Sequence, residues 1–263
     1  MHSDDEPVGH LLSRRHALTL LGTAGVALVA GPGVAMAATD PTTSSLDCVA
    51  KPEATEGPYF VDEGLNRSDI RTDPANGSVS KGTTLTLTLR VLQIKAGKCT
   101  PLKDAVVDLW QCDATGLYSD EASEGSLGRK FLRGYQVSDR AGNVRFVTIL
   151  PGWYAGRTIH FHVKIRTTGT DGKPYEFTSQ LYFTEEFKAT YLAADPYVGK
   201  GTPDTTNAAD RFYVTGGDQM LLRPKPARHG YAADFAIGLD LSDTAVGAPD
   251  RFPGFPGQQP PAA

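Results

Sequence analysis

His160-Phe161-His162 sets two imidazoles two residues apart. On a strand such a pair projects from one face, roughly 7 Å apart along the chain, so both rings can approach one ion while Phe161 turns to the opposite, core side. The spacing is a weak signal alone, because two hydrogen-bonded histidines would look the same. The stretches 110–118 and 151–157 add Tyr118, Tyr154 and Arg157. A free phenol ionises near pH 10, but a trivalent cation holds the hard phenolate oxygen and displaces its proton. Imidazole also suits iron. Two Tyr and two His therefore form a ligand set for ferric iron. A different chemistry, zinc hydrolysis, would use His160, His162 and His229 with an open fourth position. A third reading is a non-catalytic β-sandwich that binds sugar or protein through exposed aromatics.

These side chains need strands to aim them. Leu85, Leu87, Leu89 and Val91 alternate with Thr84, Thr86, Thr88 and Arg90, the period-two pattern of a strand with one buried face. Further short strands are predicted at 105–110, 144–150, 158–166, 177–183 and 235–241. Gly-rich or polar turns at 139–143 and 168–173 separate them. The pattern predicts an all-β fold, a β-sandwich with long loops and little helix, the one helical candidate being 185–193. Residues 82–245 would form this domain. Residues 38–81 lack periodicity and read as an extended N-terminal arm over the sandwich, and 246–263, rich in Pro and Gly, as a flexible tail.

Ser13-Arg14-Arg15-His16-Ala17-Leu18 precedes an apolar run to Ala30 that is too short to span a bilayer, and Ala35-Met36-Ala37 fits a small-x-small cleavage site. Residues 1–37 thus read as a twin-arginine signal, implying an exported protein. Their removal from 263 residues leaves 226, with 24 basic against 27 acidic side chains. No basic patch points to nucleic acid, and no membrane span is expected in the mature chain. An oxidising compartment permits one disulfide among Cys48, Cys99 and Cys112. Cys99 and Cys112 flank a predicted strand that would hold them far beyond the ~7 Å Cα limit of a bridge. Cys48–Cys99 is the expected pair, with Cys112 a buried thiol.

Residues 107–119, Gly152-Trp153-Tyr154 and 157–162 together resemble the iron-binding signature of the intradiol ring-cleavage dioxygenases, the likeness running from about Thr55 to Phe183. The resemblance implies one non-haem Fe(III) per chain, with Tyr118 and His160 as equatorial ligands and Tyr154 and His162 as the axial pair. It implies a small aromatic diol and O2 as substrates, with Tyr154 leaving the metal as a base and a cis,cis-muconate as product. Arg157 matches the family's active-site arginine, and Gln180 a glutamine beside the substrate and oxygen pocket. Arg133, in Leu132-Arg133-Gly134, resembles a motif position between the two tyrosines and is a candidate substrate contact. Glu56-Gly57-Pro58-Tyr59-Phe60 is similar to secreted members whose arm lies beside the pocket, so Tyr59 is either a substrate contact or a packing residue. The stretch before the first strand is too short for the helical dimerisation region of intracellular catechol dioxygenases. The resemblance is therefore to the secreted, single-domain branch, and leaves the oligomeric state open, a homodimer included. Arg133 and Arg157 are the only motif cations, and Arg157 already has a role. Neutral catechols are expected to be preferred over protocatechuate, unless Arg133 or Lys130 receives a carboxylate.

Overall fold

The computed structural model describes residues 49–243. The expected export signal, Cys48 and the 246–263 tail lie outside the described residues. Among the described residues nine strands form two sheets. In the first, β1 (Thr84–Lys95) pairs with β2 (Lys98–Pro101) and β5 (Asn143–Ile149) in antiparallel fashion. On its other side it runs parallel to β9 (Gly230–Leu239), which pairs with β8 (Lys225–Ala227). The second sheet is wholly antiparallel, in the order β4 (Arg133–Val137), β3 (Val106–Trp110), β6 (His160–Thr168), β7 (Pro174–Tyr182).

Leu85, Leu87, Leu89 and Val91 of β1 are fully buried, and they share one core with Val107, Leu109, Phe161, Val163, Ile165, Phe177 and Leu181 of the second sheet. The all-β sandwich expected from the alternation is the fold found. The helical candidate is α1 (Glu185–Leu192), whose N-cap Thr184 accepts from the Phe187 amide. Short 3-10 turns fill much of the stretch from 198 to 220. The sequence reading missed β2, β4 and β8. β2 and β8 are three or four mostly exposed residues, and β4 alternates only weakly. β9 begins five residues earlier than expected, because parallel pairing with β1 from Leu85 extends it past the apolar run.

Cys99 is disulfide-bonded. Cys112 is free and buried, as expected. No helix among the described residues is long and apolar enough to cross a membrane.

The second sheet's outer face positions the site. Alternation that turns Phe161 and Val163 into the core turns His160, His162, Lys164 and Arg166 outward. Residues 54–62 cover that face without forming a strand, and 66–70 run on beside β4 and β5. Glu56 pairs with Lys164, which also meets Glu176 at 2.9 Å, and Asp62 pairs with Arg166 at 2.6 Å. Ala54 N donates to Thr178 O at 2.9 Å, and isolated bridges join Asn66 to Tyr135 and Asp69 to Val147.

Candidate active site

Strand register alone assembles part of the site. Arg133 lies opposite Trp110, Trp110 opposite His162, and His162 opposite Gln180, one row across four strands, with His160 opposite Tyr182 beside it. Directly opposed residues share a face, so the row converges under the arm. Tyr118 and Tyr154 come from two loops locked together. Asp113 Oδ1 accepts from Thr115 N, Thr115 Oγ1 and Leu117 N, folding the first loop. Gly152 N donates to Asp113 O at 2.9 Å, joining it to the second. Tyr118 is further fixed by its amide on Glu124 (2.8 Å) and its carbonyl on Ser126 Oγ (2.6 Å).

Four side chains predicted as ligands meet here. His160 Nε2 stands 3.0 Å from His162 Nε2 and 3.2 Å from Tyr154 Oη. The Tyr118 ring lies 5.6 Å from that of Tyr154 and 6.2 Å from that of His162. His160 Nδ1 is 2.6 Å from Thr158 O. A carbonyl only accepts, so Nδ1 carries the hydrogen and Nε2 turns a lone pair into the site. His162 is oriented differently, stacked on the Trp110 indole at 4.8 Å with its Nδ1 unpartnered.

The donor set fits a cation. Tyr118 Oη is buried with no acceptor, while Tyr154 Oη and His162 Nε2 both face the one lone pair of His160. Too many hydrogens compete for too few acceptors, a conflict that ends if a metal ion replaces them. Burial, then the nearby Arg157 charge, lowers His160 to about 3, and burial with His160 holds His162 well below the ordinary value. Both imidazoles are therefore neutral, the form that binds metal. Burial raises both phenols, at Tyr118 reinforced by Tyr154 and at Tyr154 opposed by Arg157. Only a strong positive charge in the site would offset that, which matches a trivalent ion.

Tyr118, His160 and His162 are at most 2 % exposed. Tyr154 and Tyr59 are half-buried, so the set opens on their side. Tyr59 stacks on Tyr118 at 4.2 Å and meets the Tyr154 ring edge-on at 6.0 Å. Arg157 is buried; Nε donates to Asp210 Oδ2 at 2.8 Å, Nη2 to Gln180 Oε1 at 2.5 Å, and its plane covers Phe212 at 4.3 Å. Gln180 Oε1 also accepts from Tyr182 Oη, and its amide donates to Thr55 O. Arg133, a candidate substrate contact, turns its guanidinium to Tyr59 O at 2.5 Å, Ser119 O, and the Ser119 hydroxyl at 2.7 Å. Lys130 pairs with Glu63.

His229 sits in the exposed turn between β8 and β9, and no three His, Cys, Asp or Glu among the described residues are grouped to hold a metal. The three-histidine zinc arrangement is therefore not formed. Sequence reasoning missed Trp110 as a ring support, although it stands in the quoted motif, and missed Thr158, Tyr182 and Asp210. Asp210 stands fifty residues beyond His160 with no motif around it, so only folding reveals it.

Residues 55–209 match the family described as Dioxygenase, and the chain belongs to it. Solved structures agree. An intradiol ring-cleavage dioxygenase from Tetranychus urticae is 27 % identical, with TM-score 0.65, covering 76 % of this chain and all of that one. The dioxygenase domain of a dioxygenase carbohydrate-binding protein fusion from Streptomyces sp. SirexAA-E is 29 % identical, with TM-score 0.53, covering 73 % and 99 %. Catechol 1,2-dioxygenase from Acinetobacter sp. ADP1 shares the fold at 22 % identity and TM-score 0.51, covering 77 % and 67 %. No curated protein matches the chain. The protein is an oxidoreductase of the intradiol ring-cleavage dioxygenase family, which rules out the non-catalytic sandwich considered from sequence.

Proposed function

We propose that the protein is an exported non-haem Fe(III) dioxygenase that cleaves uncharged catechols between their hydroxyl-bearing carbons with O2, giving cis,cis-muconate-type products. The observation that carries this is the buried convergence of two imidazole nitrogens 3.0 Å apart with two phenols, one of which, Tyr118, has no acceptor while the other, Tyr154, shares the single lone pair of His160 with His162. Tyr118, Tyr154, His160 and His162 would hold the iron. Bound ferric iron supplies Lewis acidity that draws electron density from an ortho-diol and opens its ring to O2.

The chain does the rest. Tyr154 Oη, on the open side, would accept a diol proton as general base when the bound cation holds it as phenolate. Arg157 stabilises negative charge that develops on the substrate, in a buried setting where such a charge acts strongly. Gln180 Oε1 keeps the guanidinium aimed. Trp110 packs against His162, and Tyr59 against Tyr118 at the open side. Arg133 is engaged by Tyr59 O and Ser119 and Lys130 by Glu63, which leaves Arg157, already assigned to developing charge, as the remaining one of these three. This supports neutral catechols over protocatechuate.

Purified protein should be coloured by phenolate-to-iron charge transfer, carry about one iron per chain, and turn over catechol or hydroxyquinol with a higher kcat/KM than protocatechuate. Colourless, zinc-loaded protein would overturn the metal assignment, and a clear preference for the carboxylated ring would overturn the substrate class. Export rests on Arg14-Arg15 and the Ala35-Met36-Ala37 pattern. Enzyme that still leaves the cytoplasm after both arginines are changed to Lys would refute the twin-arginine route.

A further inference from the structure

We propose that Asp210 is the positioning residue of this site, holding from one buried carboxylate both the Arg157 guanidinium and the backbone N–H of Thr158, the residue whose carbonyl orients His160. This rests on the functional reading above. Asp210 is 1 % exposed. Its Oδ2 accepts from Arg157 Nε at 2.8 Å and from Thr158 N at 2.8 Å. Its Oδ1 accepts from Phe212 N at 2.9 Å and Tyr213 N at 3.0 Å. The two oxygens divide the work, Oδ1 fixing the carboxylate to its own turn and Oδ2 gripping the segment that leads into the histidine strand.

Thr158 passes the constraint on. Its carbonyl receives the His160 Nδ1 hydrogen at 2.6 Å, and its hydroxyl lies 2.7 Å from both Lys188 Nζ and Asn207 Oδ1. The tautomer that aims His160 Nε2 into the site thus depends on a residue, Thr158, whose N–H ends on Asp210. Arg157 is held by Asp210, Gln180 and the Phe212 ring, two of which come from the 210–212 segment. Four charge-assisted bonds on one carboxylate are each stronger than a neutral bond, and an amide in its place keeps one acceptor oxygen while turning an NH2 toward donors.

Asp210→Asn, Arg157→Gln, the double variant and wild type are compared for iron content, charge-transfer band position and kcat per bound iron. The single Asp210→Asn change should lower kcat per iron about 10–100-fold, with KM altered less than about threefold, and should shift the band because His160 is no longer held. In the Arg157→Gln background the same change should lower kcat per iron by a smaller factor than in wild type, since coupled residues are not additive, while the band still shifts through Thr158 and His160. A lower melting temperature with unchanged band and kcat per iron would reduce Asp210 to a turn-former and overturn the proposal. So would full additivity with Arg157→Gln. If Asp210→Asn fails to fold, Asp210→Glu keeps the charge but moves it by a methylene, and wild-type kcat per iron in that variant is the overturning result. Absence of ring cleavage in wild type would sink the functional reading instead, and an iron band unchanged between wild type and variant would then still refute the role of Asp210.

Discussion

Gly152→Ala tests whether the junction of the two tyrosine loops sets the rate. A β-carbon there would stand 2.6 Å from Ala114 C and 2.7 Å from Asp113 O, and nearer still to Ala114 O. All three are main-chain atoms that no rotamer change can move aside. Bringing the carbonyl carbon to an ordinary 3.4 Å contact needs about 0.8 Å of separation between the loops. That stretches the Gly152 N to Asp113 O bond and moves Tyr154 away from Tyr118. Overpacking of this kind costs about 1–3 kcal/mol. At ~2–4 °C per kcal/mol for a chain of this size, Tm should fall by ~2–12 °C. A misplacement near 1 Å is worth about 100-fold in rate, so kcat should drop far more than stability implies. Gly199→Ala, where nothing lies within 4 Å, is the control and should leave both quantities unchanged. Initial rates of ring cleavage and thermal melts of the three proteins decide it. A Gly152→Ala enzyme within threefold of wild-type kcat would refute the claim that this contact positions the site.

Tyr118→Phe and His160→Ala should each lose most bound iron, whereas Tyr154→Phe should keep a substantial share and lose most turnover, because its phenol is the proton acceptor; metal analysis beside single-turnover assays separates the two, and near-normal iron in either of the first variants sinks the ligand assignment. Asp108 gives a pH prediction: burial raises its carboxyl to about 6 despite the Arg166 guanidinium at 2.9 Å. Between about pH 4 and 6 the folded chain holds a proton that the unfolded chain has released, so raising pH through that window favours unfolding, by at most about 3 kcal/mol. The Tm of Asp108→Asn should therefore rise relative to wild type from pH 4 to 6.5 and then run parallel, and a gap that narrows with pH would contradict the burial argument.

Local pattern determined a good deal of this protein. Alternation in 84–91 and 160–166 specified strands and faces, because side-chain direction in a strand repeats every two residues whatever it packs against. That put His160 and His162 on one side and Phe161 on the other before any fold was known. The order of motifs made Tyr118, Tyr154, Arg157 and Gln180 site candidates, and folding brings them together. What residue type could not decide is what each cation faces. Arg133 reads as a substrate contact, yet its row position beside Trp110 and the path of the arm turn it onto Tyr59 O and Ser119. His229 is as good a ligand as any histidine until the β8–β9 turn carries it to the surface. Asp210 had no signal at all. Its value comes from meeting Arg157 and Thr158 across about fifty residues of chain, a contact set by packing of the long loop after α1 and by no local periodicity.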